Sequence, residues 1–384
     1  MCSSDLFKVP LLSSKTDISV SHTLKYTLNF IMTNNSKHKK IKKVLIVSTS
    51  WLGDAVITLP TICGIRNLFP DTHLAILVKD TIADIFKTVE TVDEIIPFHK
   101  EKGCKKAFTV LKTSLMLKIK KFDRVFIFPN SLGSSLTCFL AGIPERIGFE
   151  SNGRSFFLTE TVERDQKILS KHQVHYYKKL LESAGKANFP ELPYVNVPEN
   201  NIKWAREFLF PKRDGSKKFL VGINPGSTYG EAKQWLPERF GELAKRLYKN
   251  NRCDIIIFGD TNSSLLAGEI NKDLENKAID VTGKTDILQL TALLKECDLL
   301  VTNDTGPMHV ACAVKTPVVA VFGSTNPATT SPLGRDSVMI KKDIPCSPCC
   351  KRVCPEGHHM CMKNISTDAV EKAVLGKLKN LKKN

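Results

Sequence analysis

The sequence runs to 384 residues with 56 Lys and Arg against 39 Asp and Glu, a formal net charge of +17; 42 % of the residues are apolar and 25 % are charged. That length accommodates two domains with their own cores, the balance is that of a globular rather than a disordered or fibrous chain, and no run approaches the roughly 18 consecutive apolar residues of a membrane-spanning helix. The positive excess calls for an anionic partner such as nucleic acid, a membrane face or a phosphorylated small molecule, but the lysines are scattered over residues 37–43, 100–121 and the C-terminus with no interleaved aromatics, which argues against nucleic acid.

Residues 1–31 lack the basic start and unbroken apolar core of a signal peptide, so the protein is expected in the cytoplasm. Residues 1–40 are set aside as an N-terminal extension, either a loose tail or a segment bypassed by a start at Met32. From there the chain alternates strands and helices. The run IKKVLIV (41–47) reads as a strand, breaks into the polar elbow Ser48 to Asp54, and passes into a helix over 55–69 with apolar Val56, Leu59, Ile62, Ile65 and Leu68. Strands follow at 73–78, 95–98, 122–129 and 142–149, with helices at 81–88, in the basic stretch after residue 98, and at 130–141. Helices at 172–184 and 198–208 lead to PKRDGS (211–216), a breaker-rich boundary.

After that boundary the pattern restarts. A strand at 219–223 opens into the loop NPGSTYG (224–230), followed by Lys233, Trp235 and a helix from Pro237. A strand at 253–258 ends in Gly259-Asp260, and a helix covers 286–295. The stretch LLVTNDTGPMHVACAVKTPVVAVFGST (299–325) is read as a buried strand, a tight turn, a short helix with Pro307 in its first turn, and a second strand ending in Gly323-Ser324-Thr325. A last helix, 367–381, lies in the C-terminal segment 367–384. This alternation predicts parallel sheets covered on both faces: an α/β chain of two Rossmann-like domains, 41–210 and 211–366, facing across a cleft.

Four polar elbows then stand at C-terminal strand ends, where open α/β sheets bind ligands: Ser48 to Asp54, Asn224 to Gly230, Asn303 to Gly306, and Gly323 to Thr325. Asp304, Thr305 and Gly306 lie at a helix start, which attracts anions. Lys233 beside the 226–230 loop is placed to neutralise a phosphate. His309, one turn on, is either a packed residue or a ligand contact. Asp54 either favours the helix dipole or acts as a general base. The first elbow holds only Gly53, so a dinucleotide fingerprint is absent. Of the 12 cysteines, Cys346, Cys349, Cys350, Cys354 and Cys361 fall with His358 and His359 in the 16 residues 346–361. The preferred reading is a reduced cluster packed into a loop; the alternative is structural zinc, at a spacing unlike a standard zinc ribbon.

The segments VLIVSTSWLGDAVITLP (44–60), NPGSTYGEAKQWLPERF (224–240) and VTNDTGPMHVACAVKTPVVAVFGSTNP (301–327) strongly resemble the bacterial lipopolysaccharide core heptosyltransferases of glycosyltransferase family 9. The loop GSTYGEAKQW and the Cys-rich CSPCCKRVCPEGHHMC are most similar to the members that add the second heptose. The resemblance implies a GT-B fold in which the C-terminal domain holds ADP-heptose and the N-terminal domain the lipid A-Kdo-heptose acceptor. It implies Asp54 as base; Thr228, Lys233, Asp304, Thr305, Gly306 and His309 as contacts of the sugar diphosphate; and Thr285 near the adenine. No cofactor is then needed, and the protein would work peripherally at the anionic inner membrane. Arg146 and Arg154 are candidates for acceptor contact, with salt bridging as the alternative. The competing readings are transfer of the first heptose or of another nucleotide sugar, and a non-catalytic sugar-nucleotide-binding module.

Overall fold

The computed structural model describes residues 40–381 apart from 102, 104, 105, 152, 183, 186, 216–218, 251 and 252; the expected extension thus lies, but for residue 40, outside the described residues. Apolar runs that must be buried on both faces become the strands of two parallel sheets. In the first, β1 (Lys43–Val47), β2 (His73–Lys79), β3 (Glu94–Phe98), β4 (Arg124–Ile127), β5 (Glu145–Phe149) and β6 (Glu160–Val162) are ordered β3-β2-β1-β4-β5-β6. In the second, β7 (Phe219–Asn224), β8 (Cys253–Ile257), β9 (Ile279–Asp280), β10 (Leu299–Asn303), β11 (Val318–Phe322) and β12 (Val338–Lys341) are ordered β12-β11-β10-β7-β8-β9. The two orders are the same, each reversing direction between its first and fourth strand, where a crevice opens at the strand ends.

The helices that matter here are α1 (Leu52–Leu68), α2 (Lys106–Lys120), α3 (Leu132–Leu140), α4 (Gln173–Lys178), α5 (Glu199–Leu209), α6 (Pro237–Asn250), α7 (Ser264–Asp273), α8 (Ile287–Glu296), α9 (Gly306–Ala313) and α10 (Thr367–Leu381). Alternation along the first sheet divides its two faces. Leu45, Val47, Leu77, Val125 and Ile127 pack toward Leu117 of α2 and Cys138 of α3. Ile46, Ile76 and Phe126 pack toward α1, in a core that continues into the second domain through Leu300, Met308, Val310 and Phe322. The helix starts of α1 and α9 therefore meet: a Cβ on Gly53 would come within 3.3 Å of the Gly306 Cα and 2.8 Å of His309 Cδ2. A side chain at either glycine would push the two helix starts or the His309 ring apart.

Several expectations shift. Residues 80–88 form a 3-10 stretch rather than an α-helix, and β6 and β9, of three and two residues, were not foreseen. The expected domain limit at 210 and 211 falls after α5, yet α5 packs on α8 of the second half, with Arg206 Nε 3.1 Å from Glu296 Oε1. The connection itself is bonded to both halves, Val195 N–H donating to the Ala313 carbonyl and Asn196 N–H to the Thr88 carbonyl. Helix α10 is not a separate appendage; Val370, Val374 and Leu378 are buried in the core of the second domain.

Candidate active site

A cleft of about 680 Å³ lies between the domains and is lined from both, a size suited to a ligand of nucleotide-sugar dimensions. The first domain contributes Trp51 to Asp54, Asp80, Thr81, Asp84 and Gln173; the second contributes the three remaining elbows.

The turn after β10 is held by an amide network. Asn303 is fully buried; its Oδ1 accepts from Trp235 N–H at 2.9 Å and its Nδ2 donates to the Pro225 carbonyl at 2.7 Å. Asn224 Nδ2 donates to the hydroxyls of Thr302 (3.2 Å) and Thr305 (3.1 Å). Two strand-end loops distant in sequence are thereby fixed against each other, since any slippage would leave buried amides unsatisfied. Lys233 Nζ is 2.8 Å from Asp304 Oδ2, and both side chains are nearly closed to solvent, 13 % and 4 % exposed. The ammonium also lies 4.7 Å from the centre of the Tyr229 ring, and Thr330 donates to the same carboxylate at 3.3 Å. Thr305, the N-cap of α9, makes no side-chain cap; Pro307 has no N–H and Met308 N–H donates to the Thr305 carbonyl at 3.2 Å, so the Gly306 N–H is the donor left at that helix start, where Thr305 to Pro307 line the cleft.

Thr228 donates to Asp260 Oδ2 at 3.3 Å, and Asp260 in turn accepts from Ser263 N–H and Oγ–H. The hydroxyls of Ser227 and Thr325, also in the cleft wall, are buried without a partner among the described residues. Thr285, Asp286, Ile287 and Leu290 close the far end, where Asp286 and Gln289 form a reciprocal capping box that fixes the start of α8.

Asp54 sits in the first turn of α1, directly across the cleft. Burial pushes its carboxyl from 3.8 to about 6, against the lowering pull of Lys233 and with a further push from Asp304. His309 goes the other way: burial lowers it to about 4, so the imidazole is neutral at physiological pH. His172, whose pKa burial also lowers, lies with Nε2 3.0 Å from the Ser331 carbonyl and bonds the first domain to the second at the cleft edge.

All the residues expected from the second domain, Thr228, Lys233, Thr285, Asp304, Thr305, Gly306 and His309, line this one cleft together with Asp54. Arg146 and Arg154 do not, and the expectation that they meet an acceptor is corrected: they are 1 % and 0 % exposed. Arg146 donates from Nε to the Phe157 carbonyl at 2.7 Å and from Nη1 to those of Ile143 and Pro144, with its guanidinium 5.4 Å from the centre of the Phe139 ring. Arg154 donates to the Pro129 carbonyl. Arg146, pointing inward from β5, and Arg154, buried at the start of a 3-10 turn with Nε and Nη2 unpartnered among the described residues, cannot reach a ligand in the cleft.

The cleft also holds residues that were not foreseen. Asp80 and Asp84 follow β2, and Asp260 follows β8; the Gly259-Asp260 pair at a strand end was a readable signal for the last. The Cys-rich segment reaches the site through its backbone. Ala232 N–H donates to the Arg352 carbonyl at 3.0 Å, Tyr229 Oη–H to the Cys350 carbonyl at 3.0 Å, and Cys350 lines the cleft. Its described cysteines form no disulfide, Cys346 Sγ lies 3.9 Å from His358 Nε2, and among the described residues no three His, Cys, Asp or Glu side chains stand where they could share a metal ion.

Two such domains, facing across a cleft with Lys233 and the strand-end loops on one side and Asp54 on the other, have the architecture of GT-B glycosyltransferases. The model of glycosyltransferase family 9 (heptosyltransferase) matches residues 110–360, and the chain belongs to that family. It is 29 % identical to lipooligosaccharide heptosyltransferase 2 of Campylobacter jejuni over 88 % of this chain and 99 % of that one. It is 26 % identical to lipopolysaccharide heptosyltransferase 2 of Escherichia coli K12, over 85 % and 96 %. Among solved structures, ADP-heptose LPS heptosyltransferase II of E. coli shares the fold with a TM-score of 0.75 at 24 % identity, covering 88 % of this chain and 99 % of that one.

Proposed function

We propose that this glycosyltransferase moves L-glycero-D-manno-heptose from ADP-heptose to the first heptose of the lipopolysaccharide inner core, with inversion at the anomeric carbon. The observation that carries the mechanism is the opposition, across one cleft, of the Asp54 carboxyl, with its near-neutral pKa, and the Lys233 ammonium beside the start of α9 and the unpartnered hydroxyls of Ser227 and Thr325. Relatives named heptosyltransferase 2, matched over most of the chain, support the choice of donor and acceptor.

Asp54 takes the proton of the acceptor hydroxyl as its oxygen attacks the anomeric carbon, and the bond from that carbon to the β-phosphate oxygen breaks on the opposite face. Negative charge builds on the departing ADP. The Lys233 ammonium and the Gly306 N–H at the start of α9 are held ready for it, so little reorganisation accompanies the step. Asp304 holds Lys233 in place. The unpartnered hydroxyls of Ser227 and Thr325 supply further donors to the diphosphate, and Thr228 joins them when its hydroxyl turns from Asp260. Neutral His309 contacts the sugar side, and Thr285 with Ile287 and Leu290 receives the adenine. These protein donors perform the charge neutralisation that a metal performs in other transferases, so the reaction proceeds without an added metal. The lipid-linked acceptor puts the work at the cytoplasmic face of an anionic membrane.

The test is a transfer assay pairing ADP-heptose with inner-core acceptors carrying one heptose or none, and one-heptose acceptor with ADP-, UDP- and GDP-sugars. Product from ADP-heptose and the one-heptose acceptor alone is expected; equal turnover on the zero-heptose acceptor, or with a UDP-sugar, would replace this reading.

A further inference from the structure

Helix α2 is apolar on both sides. On the side facing the protein it carries buried Thr113, Ser114 and Leu117, with Val110 and Met116 partly buried beside them, and Ser114 Oγ spends its hydrogen on the carbonyls of Val110 and Thr137. On the outer side stand Phe108, Leu111, Leu115 and Ile119, 64, 53, 55 and 80 % exposed. At about 100° per residue these four fall within an arc of roughly 80°. A surface helix of a globular domain keeps its outer side polar, so this stripe is built to be covered.

The stripe does not stand alone. Helix α3 packs against α2, close enough that a Cβ on Gly133 would touch Val110 Cγ2 at 3.9 Å. It adds exposed Leu132 and Leu140, and the neighbouring turn adds Phe156, which lies 6.5 Å from Phe139 centre to centre. Neither helix contains an Asp or Glu, whereas α2 carries Lys106, Lys112, Lys118 and Lys120, with Lys112 and Lys118 on the two flanks of the stripe. The whole face lies on the side of the first sheet away from α1 and the second domain, so covering it leaves the cleft open.

We propose that this α2–α3 face docks the first domain onto an anionic lipid bilayer, Phe108, Leu111, Leu115 and Ile119 entering the interface while the flanking lysines meet anionic headgroups. An apolar stripe fringed by cations and free of carboxylates fits such a surface; a second copy of the chain would bring the same lysines against each other. The proposal builds on a lipid-linked acceptor, which docking would present to the domain that carries Asp54.

The test is co-sedimentation of the full chain with vesicles of phosphatidylethanolamine and phosphatidylglycerol, compared with phosphatidylcholine vesicles. Sedimentation with the anionic vesicles, weakened by salt, is expected. Replacement of the four apolar residues by Ser (Phe108→Ser, Leu111→Ser, Leu115→Ser and Ile119→Ser together) should lower the bound fraction by about tenfold or more, and Lys112→Glu with Lys118→Glu should weaken only anionic-vesicle binding. Both variants should raise the KM for vesicle-embedded acceptor while leaving transfer to a deacylated, soluble acceptor unchanged, which also shows that they fold. Wild-type protein that stays in the supernatant, a four-fold variant that binds like wild type, or a lipid-free dimer that the Ser replacements dissociate would overturn the proposal. A chain that binds vesicles through this face but transfers no heptose would refute the functional reading and leave the surface standing.

Discussion

The two domains repeat one sheet order, yet their switch points have opposite chemistry. After β1 the first domain offers Asp54 on a bare helix start, with Trp51 as an N-cap that makes no side-chain bond. After β7 and β10 the second offers a cross-braced pair of loops, in which Asn224, Asn303 and Thr305 are bonded together and Lys233 is pinned to Asp304. The same scaffold thus makes a buried acid on one side and an anion cradle on the other. Proton removal needs a group whose affinity for a proton is tuned by desolvation, whereas leaving-group stabilisation needs donors that do not move.

The contrast breaks most sharply at Asp54. Asp54→Asn is expected to lower kcat about a thousandfold with ADP-heptose binding intact by calorimetry. The same variant should be more stable. Because the folded-state pKa lies above the unfolded one, the native protein holds its proton more tightly, and stability falls as pH rises from 3.8 through about 6. Removing the charge recovers up to about 3 kcal/mol at pH 7, readable by urea denaturation.

On the other side, Lys233→Met should cost about a hundredfold in kcat and, by leaving Asp304 buried and unpaired, about 3 kcal/mol of stability. Adding Asp304→Asn should restore the melting temperature and not the rate, which separates catalytic from structural roles. Asn303→Ala strips partners from the Trp235 N–H and the Pro225 carbonyl and should destabilise by about 2 kcal/mol, with a rise in donor KM as the loops separate. Gly53→Ala should have the smallest effect, about 1 kcal/mol, since the His309 ring must shift to admit the new methyl; a several-fold change in KM for the donor would accompany it.

The anion cradle was readable in the sequence for a physical reason. Parallel strands buried on both faces leave uninterrupted apolar runs such as Val318 to Phe322, and the polar break after each run marks the strand end where ligands bind. Asp54, Lys233 and Asp304 to Gly306 followed from that rule and from the family resemblance. Short elements did not: β6 and β9 contain too few residues to show a period. The orientation of Arg146 was equally hidden, because a charged residue in a strand looks the same in sequence whether it faces a ligand or three carbonyls. The contact of the Cys-rich segment with Tyr229 and Ala232 spans more than 100 residues and carries no local signal. Helix α2 was legible only as basic; its second, outward apolar stripe appears once burial says which side faces the protein.

The most direct measurement on the opposed carboxyl and cradle is the pH dependence of kcat/KM from pH 4.5 to 9, in wild-type protein and in Asp54→Asn. With Asp54 as the base, the wild-type rate should fall with unit slope below an apparent pKa of about 6, and the small residual rate of the variant should show no such limb. A limb that persists in the variant, or a wild-type rate that is flat down to pH 4.5, would contradict Asp54 as the group that takes the proton.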